Sequence, residues 1–417
     1  MFETRSLEFK AEVTNTFLKT VSAFANYGTG DIIFGVEDNG NVCGMENPEK
    51  ACLDLENKIN DSISPKPDYT LRIDDKNHTI TLHVIEGLDK PYLYKGKAYK
   101  RNDTSTIEVD RGELNRLTLI GTGQYYDQLP ARDNDLKFTC LEKILKEKLG
   151  IEKLTQDICK TLNLYYAHDR FNHAAELLAD ANSFPGLDIA VFGRSNDVIL
   201  DRVTYKNMSI IEQFHQAMVI FQRYCVYEKI EGAERLTKEK IPEKAFREAI
   251  ANALIHRTWD INANIRIAIY ADRVEVASPG GLPLGVSKEE YLRGYVSVLR
   301  NPVLANVFFR LKYVETFGTG VRRILDAYKG AVSKPEFAIS DNAVVVILPN
   351  VDEQLLLTAD EKLVLQAFSA NRVLASADIA VLTAFNKAKV ARLLKALLSK
   401  NKLVKLGEGR ATKYRLR

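Results

Sequence analysis

The sequence predicts a multidomain α/β protein of the α+β kind that ends in a winged helix-turn-helix. Three observations predict it. A chain of 417 residues is long enough for two to four domains. Through the first 350 residues, compact apolar strand patterns such as DIIFGVED (31–38) alternate with amphipathic helical patterns. The last stretch, 359–417, reads as three short helices and two strands that flank Gly407-Glu408-Gly409.

Composition narrows the class. Hydrophobic content of 46% and charged content of 27% are ordinary for a globular protein. No run of 18 apolar residues exists, so no membrane span is expected. The opening MFETRSLEFK is charged where a signal peptide would be apolar, and a cytoplasmic location is expected. Five cysteines without a C-x-x-C pair suggest reduced thiols rather than a disulfide or zinc framework. The net charge of +3 is uneven: 386–417 holds eleven Lys/Arg against Glu408 alone, which leaves the rest of the chain acidic. A basic end on an acidic body points to a polyanion partner, a nucleic acid, for that end.

Residues 1–120 read as a mixed α/β unit. A strand is predicted over 6–10. Val13, Phe17, Val21 and Phe24 mark one face of a helix, and the strand 31–38 runs into the turn Asp38-Asn39-Gly40-Asn41. A helix over 48–61, strands over 69–74 and 79–85, and a hairpin over 92–101 turning at Lys95-Gly96 follow. Neighbouring strands could gather Glu3, Glu8 and Asp38, and such hard oxygen ligands suit Mg²⁺ or Mn²⁺. The patterns E-x-x-x-x-E-F-K (3–10), S-A-F-A-N-Y-G-T-G (22–30) and I-I-F-G-V-E-D-N-G (32–40) together resemble the AlbA-2 domain of the Schlafen family. The resemblance implies Glu3, Glu8 and Asp38 as metal-binding cleavage residues of a nuclease, with Lys10 and Arg101 as phosphate contacts. The sequence departs from the usual paired glycines, with Gly28-Thr29-Gly30 in their place.

Residues 121–205 are read as a mainly helical connecting region. Helices are predicted over 141–149, 151–164 and 173–178, and a strand over 187–192. His168, His173 and His215 are widely spaced among core-like residues and read as structural. A long amphipathic helix over 208–227 opens the next unit, 206–350.

Within it, FREAIANALIHR (246–257) reads as one amphipathic helix. Phe246, Ile250, Ala253 and Leu254 share one face, while Glu248, Asn252 and His256 stack four residues apart along another. Glutamate can orient or deprotonate a water, and an asparagine oxygen can hold Mg²⁺. A strand over 265–270 turns at Asp272-Arg273 into 274–277, then into the loop Ser278-Pro279-Gly280-Gly281. Arg300-Asn301-Pro302 begins a helix, and Glu315-Thr316-Phe317-Gly318-Thr319-Gly320 opens another. Glycines ahead of a helix N-terminus let backbone N–H groups approach a phosphate.

This order resembles the GHKL nucleotide-binding fold of gyrase, Hsp90, histidine kinases and MutL. More closely, it resembles the C-terminal half of bacterial proteins described as RecG-like helicases or AlbA-2 transcriptional regulators. The resemblance implies ATP with Mg²⁺ as ligand. It assigns Glu248 as water-activating base and Asn252 as the Mg²⁺ ligand. Gly318 and Gly320 fall at the phosphates and Ser278 at the base, with Gly280, Gly281 and Thr319 also nucleotide-binding. Ser278 stands where the family has an aspartate for the adenine amino group, which implies reduced base selectivity and slow hydrolysis. No Walker A motif exists, so no motor motif supports a helicase.

Residues 351–358 read as a linker before the winged helix-turn-helix of 359–417. In its third helix, 386–398, Val390, Leu393, Leu394 and Leu397 face inward. Lys387, Lys389, Arg392 and Lys395 would face a duplex, joined by Arg410 and Lys413 from the wing. The chain therefore reads as an ATP-binding protein that acts on DNA or RNA, with a metal-dependent nuclease centre at its N-terminus. The alternative is a transcriptional regulator that senses ATP and cuts nothing. The resemblances also imply a homo-oligomer.

Overall fold

The structure, a computed structural model, describes all residues except 1, 168, 194, 196, 284, 295–297, 316–318, 332, 352–356, 369–372, 401, 410–411 and 417. The N-terminal unit runs β1 (Leu7–Lys10), α1 (Phe17–Tyr27), β2 (Gly30–Phe34), α2 (Pro48–Ser62), β3 (Ile63–Ser64), β4 (Tyr69–Asp74), β5 (Thr79–Val84), β6 (Leu93–Tyr94), β7 (Tyr99–Asn102), β8 (Ser105–Glu108) and α3 (Arg111–Gly121). Its main sheet has the order β1-β2-β5-β4, with β1 and β2 parallel. Phe17, Val21 and Phe24 of α1 are buried on Ile32, Phe34, Ile80 and Leu82 of the sheet. The turn at Lys95-Gly96 forms, with both residues in the left-handed region. Its arms part after the single bridge Tyr94–Lys97, so no hairpin spans 92–101. Instead β6 pairs with β3, and β7 pairs with β8.

The central unit runs α4 (Thr139–Leu149), α5 (Gln156–Thr161), β9 (Tyr165–Ala167), β10 (Arg170–Phe171), α6 (His173–Leu178), β11 (Leu187–Phe192), β12 (Ile199–Tyr205), α7 (Ile210–Cys225), β13 (Val226–Glu231), β14 (Glu234–Glu239), α8 (Glu243–His256), β15 (Ile265–Ile269), β16 (Arg273–Pro279), α9 (Lys288–Arg293), α10 (Pro302–Arg310), α11 (Gly320–Ala327), β17 (Glu336–Ile339) and β18 (Ala343–Pro349). The helix expected over 151–164 is confined to α5. Thr155 caps its start, accepting from Ile158 N at 3.4 Å, and Asn163 turns left-handed just beyond its end.

One six-stranded sheet, β12-β11-β15-β16-β18-β17, organises this unit. It is antiparallel except where β11 runs parallel to β15. A single apolar core extends from Leu141 to Leu348 and includes α7, α8, α10 and α11. The stretch expected as a helical connection thus supplies two strands of this sheet, and position 205 falls inside one core. His173 and His215 are packed structurally. Their ring nitrogens lie 3.2 Å from Tyr126 O and 2.6 Å from the Tyr313 hydroxyl. His168 lies outside the described residues.

The C-terminal unit has the order α12 (Ala359–Gln366), β19 (Val373–Ala375), α13 (Ser376–Thr383), α14 (Lys387–Ser399), β20 (Leu403–Leu406) and β21 (Lys413–Leu416), with a sheet β19-β21-β20. Val390, Leu393, Leu394 and Leu397 of α14 are buried in its own small core with Val364 and Ile379. Among the described residues, no helix is long and apolar enough to cross a membrane.

Candidate nucleotide-binding site

Helix α8 places the polar stripe. Phe246, Ile250 and Leu254 are buried in the core, which leaves Glu248, Asn252 and His256 to line a cavity of about 370 Å³. That volume lies in the range of small-molecule sites, about 300–1,000 Å³. Ser278, Gly280 and Gly281 at the end of β16 line the same cavity, as do Thr319 and Gly320 at the start of α11. Gly318 lies outside the described residues.

The backbone is fitted closely around these groups. A Cβ on Gly320 would lie 2.5 Å from Asn252 Nδ2 and 2.7 Å from Glu248 Oε1. The first turn of α11 therefore abuts the carboxylate and amide of α8 directly. Thr319 caps α11 without a side-chain hydrogen bond, and such a helix start attracts an anion. Gly280 has φ +98°, and a Cβ there would meet Thr258 Oγ1 at 2.0 Å, so this turn requires glycine.

Two residues that the sequence reading missed hold the cavity walls together. Arg300 donates through Nη1 to His256 O and through Nη2 to Gly281 O, both at 2.9 Å, and so ties α8 to the glycine loop. Asn301 donates through Nδ2 to Ile255 O at 2.6 Å and to Arg257 O at 3.0 Å, which closes the C-terminal end of α8. The only sequence signal for either is their place ahead of the helix-starting Pro302.

The electrostatics follow from burial. Glu248 is 4% exposed, and burial raises its carboxyl above the usual range. Arg323 opposes that rise, with Nη1 at 3.9 Å from Glu248 Oε2. Asn252 turns Nδ2 toward Glu248 Oε1 at 3.4 Å, and among the described residues no donor is bound to its oxygen, which could face a cation. Burial, and then the Arg300 guanidinium, push the His256 imidazole down to about 4, so it is neutral at pH 7. Ser278 Oγ donates to Ala253 O at 3.2 Å, and its lone pairs remain available as acceptors.

The N-terminal acids are arranged differently from the expectation. Glu8 is buried and fully engaged. Its Oε2 pairs with Arg101 Nη1 and accepts from Thr20 Oγ1 at 2.7 Å, and its Oε1 pairs with Lys10 Nζ at 2.8 Å. Glu3 Oε1 accepts from Phe9 N at 2.8 Å. Asp38 is exposed on the turn after β2. Among the described residues, no group of three or more His, Cys, Asp or Glu is placed to hold a metal ion. Lys10 and Arg101, expected at phosphates, instead neutralise Glu8.

In the C-terminal unit, Lys387, Arg392, Lys395 and Lys413 are exposed. Lys389 is turned inward. Its Nζ lies 2.9 Å from Asp360 Oδ1 and 3.8 Å from the Phe385 ring centroid, so it braces α14 on α12. Arg410 lies outside the described residues.

Two family models match the chain. Residues 3–110 match the one described as "Schlafen, AlbA_2". Residues 262–348 match the one described as "Putative ATP-dependent DNA helicase recG C-terminal", HATPase_c_4. The chain carries an AlbA_2 domain and a RecG C-terminal-like ATPase domain, and the latter implies ATP binding, typically with Mg²⁺. The ATPase match begins after α8. No curated protein matches the chain. Among solved structures, the DIP2311 protein from Corynebacterium diphtheriae is similar at 20% identity and a TM-score of 0.48, over 99% of this chain and 92% of that one.

Proposed function

We propose that the protein binds Mg²⁺-ATP in the cavity between α8, the glycine loop and α11, and acts on nucleic acid through its C-terminal unit. One observation carries the reading. Glu248, Asn252, Ser278, Gly280, Gly281, Thr319 and Gly320 lie far apart in sequence, yet all line one cavity of suitable size. The Asn252 oxygen is the ligand for Mg²⁺, which would supply charge neutralisation at the phosphates. The α11 start offers N–H groups to the terminal phosphates. Glu248 is placed to orient a water, and its raised carboxyl makes it a base at neutral pH once ionised. Ser278 is an acceptor for a base amino group at the other end.

The C-terminal unit is read as a winged helix from its order of helix, strand, two helices and two strands. Its exposed Lys387, Arg392 and Lys395 on α14 suit duplex phosphates. Of the two functional readings, a nucleotide-sensing regulator is favoured over a nuclease, because Glu8 already spends both oxygens on Arg101, Lys10 and Thr20. A metal at Glu3, Glu8 and Asp38 would need that cluster to open.

Calorimetry with ATP and Mg²⁺ tests the site. Wild-type protein should bind, and Asn252→Ala should weaken binding about tenfold, roughly 1.4 kcal/mol. Unchanged affinity in that variant removes the site. Metal-dependent cleavage of labelled RNA or single-stranded DNA, abolished by EDTA, would restore the nuclease reading.

A further inference from the structure

Arg323 is not among the residues that line the cavity, yet it touches two that do. Its Nη1 lies 3.9 Å from Glu248 Oε2, and its Nη2 lies 3.3 Å from Glu315 Oε1. It sits one turn into α11, its N–H donating to Thr319 O at 2.9 Å. Helical side chains lean toward their helix N-terminus, so this guanidinium reaches back over the turn that holds Thr319 and Gly320. Both contacts are looser than a close charge-assisted bond of about 2.7–2.9 Å. The side chain is 37% exposed, so it has room to move.

The charge around it is unbalanced. Among the described residues, the cavity wall carries two carboxylates, Glu248 and Glu315, and one guanidinium, Arg300. Arg300 is committed to the carbonyls of His256 and Gly281. A terminal phosphate at the α11 start would find Arg323 one helical turn away, held by its two carboxylate partners only at 3.3 and 3.9 Å. A guanidinium matches phosphate oxygens in fork geometry and exchanges readily from one oxyanion to another.

We propose that Arg323 distinguishes a nucleoside triphosphate from a diphosphate: it rests between Glu248 and Glu315, and it turns to the terminal phosphate when that group is present. The proposal rests on the nucleotide site above. Its consequence for Glu248 is specific. Transfer of Arg323 to the phosphate removes the guanidinium from the carboxylate and leaves Glu248 free to hold a water. Glu315 acts as the competitor that keeps Arg323 parked.

The test is calorimetry on the full chain with Mg²⁺, using ADP and the non-hydrolysable β,γ-imido analogue of ATP. Arg323→Met should weaken the triphosphate analogue about tenfold, the scale of one charge-assisted phosphate contact, and leave ADP within about twofold. Glu315→Gln should shift the same ratio the opposite way, with triphosphate affinity rising about two- to fivefold. Equal losses for both nucleotides in Arg323→Met, or a triphosphate affinity unmoved by either variant, overturn the role. Wild-type protein that binds neither nucleotide overturns the site itself and this role with it. Circular dichroism on both variants separates a lost contact from a lost fold, and Glu315→Gln carries the test if Arg323→Met does not fold.

Discussion

At the scale of single residues, Glu8 shows how a pattern names a residue and misjudges its state. Its spacing from Glu3 suggests a ligand pair, but its partner Arg101 stands 93 positions later and is brought opposite by the fold. Both side chains are nearly fully buried, at 5% and 4% exposure. Removing one member of such a pair leaves an uncompensated charge in the interior. Glu8→Ala should therefore lower stability by about 3–5 kcal/mol in urea denaturation, with Glu3→Gln much milder. Wild-type stability in Glu8→Ala would mean that Glu8 is not held by Arg101 and is open to a metal. The same coupling affects any cleavage experiment, because lost activity in Glu8→Ala would report unfolding as readily as lost chemistry. The glycines and acids of the nucleotide cavity were easier to read. Glu248 and Asn252 share one helix, and helical spacing alone aligns them.

At the scale of elements, α8 and the strands β11, β15 and β16 were legible because each carries a clear period, whereas β12, β17 and β18 of the same sheet were not predicted. The caps that join elements were not legible either. The buried Asp127 accepts through Oδ2 from Val303 N at 2.8 Å and Leu304 N at 3.1 Å, capping α10 from 176 and 177 positions away. Among the described residues, its other oxygen is buried without a partner. Burial pushes this carboxyl up to about 7, although the two N–H groups oppose the rise. The folded protein thus holds a proton that the unfolded chain releases above its ordinary value of 3.8. This contribution to stability is present below pH 3.8 and is lost as pH rises through about 7. Asp127→Asn cannot titrate there. Relative to that variant, wild-type protein should lose on the order of 2–4 kcal/mol between pH 4 and 8. Parallel stability curves over that range would show that Asp127 stays ionised in the fold.

At the scale of the whole molecule, the basic end was visible in composition alone, and its helix, α14, was visible in spacing. The inward use of Lys389 was not, since Asp360 lies on another helix. Removal of 359–417 should abolish most salt-dependent affinity for duplex DNA, read as a flattened slope of binding against salt in anisotropy titrations. An unchanged slope would move that role to the AlbA_2 domain. The N-terminal unit, α3 included, also meets the central unit. Arg116 Nε lies 2.7 Å from Asp260 Oδ2, and Arg5 Nη2 lies 3.6 Å from Asp341 Oδ2. The Asp341 and Ser340 carbonyls press on Gly281, where a Cβ would come within 2.7 Å of each. The glycine loop and the N-terminal domain thus share one small turn.

The parallel pairing of β11 with β15 bears on where such a protein can be divided. The stretch recognised by the ATPase family model, 262–348, encodes β15 to β18 but neither β11 nor α8. A gene fragment cut to those limits would express a bare sheet edge at β15, which invites aggregation. It would also lack Glu248 and Asn252. A self-contained nucleotide-binding piece would have to run from the Asp127 cap to the end of β18, more than twice the length of the signature that marks it.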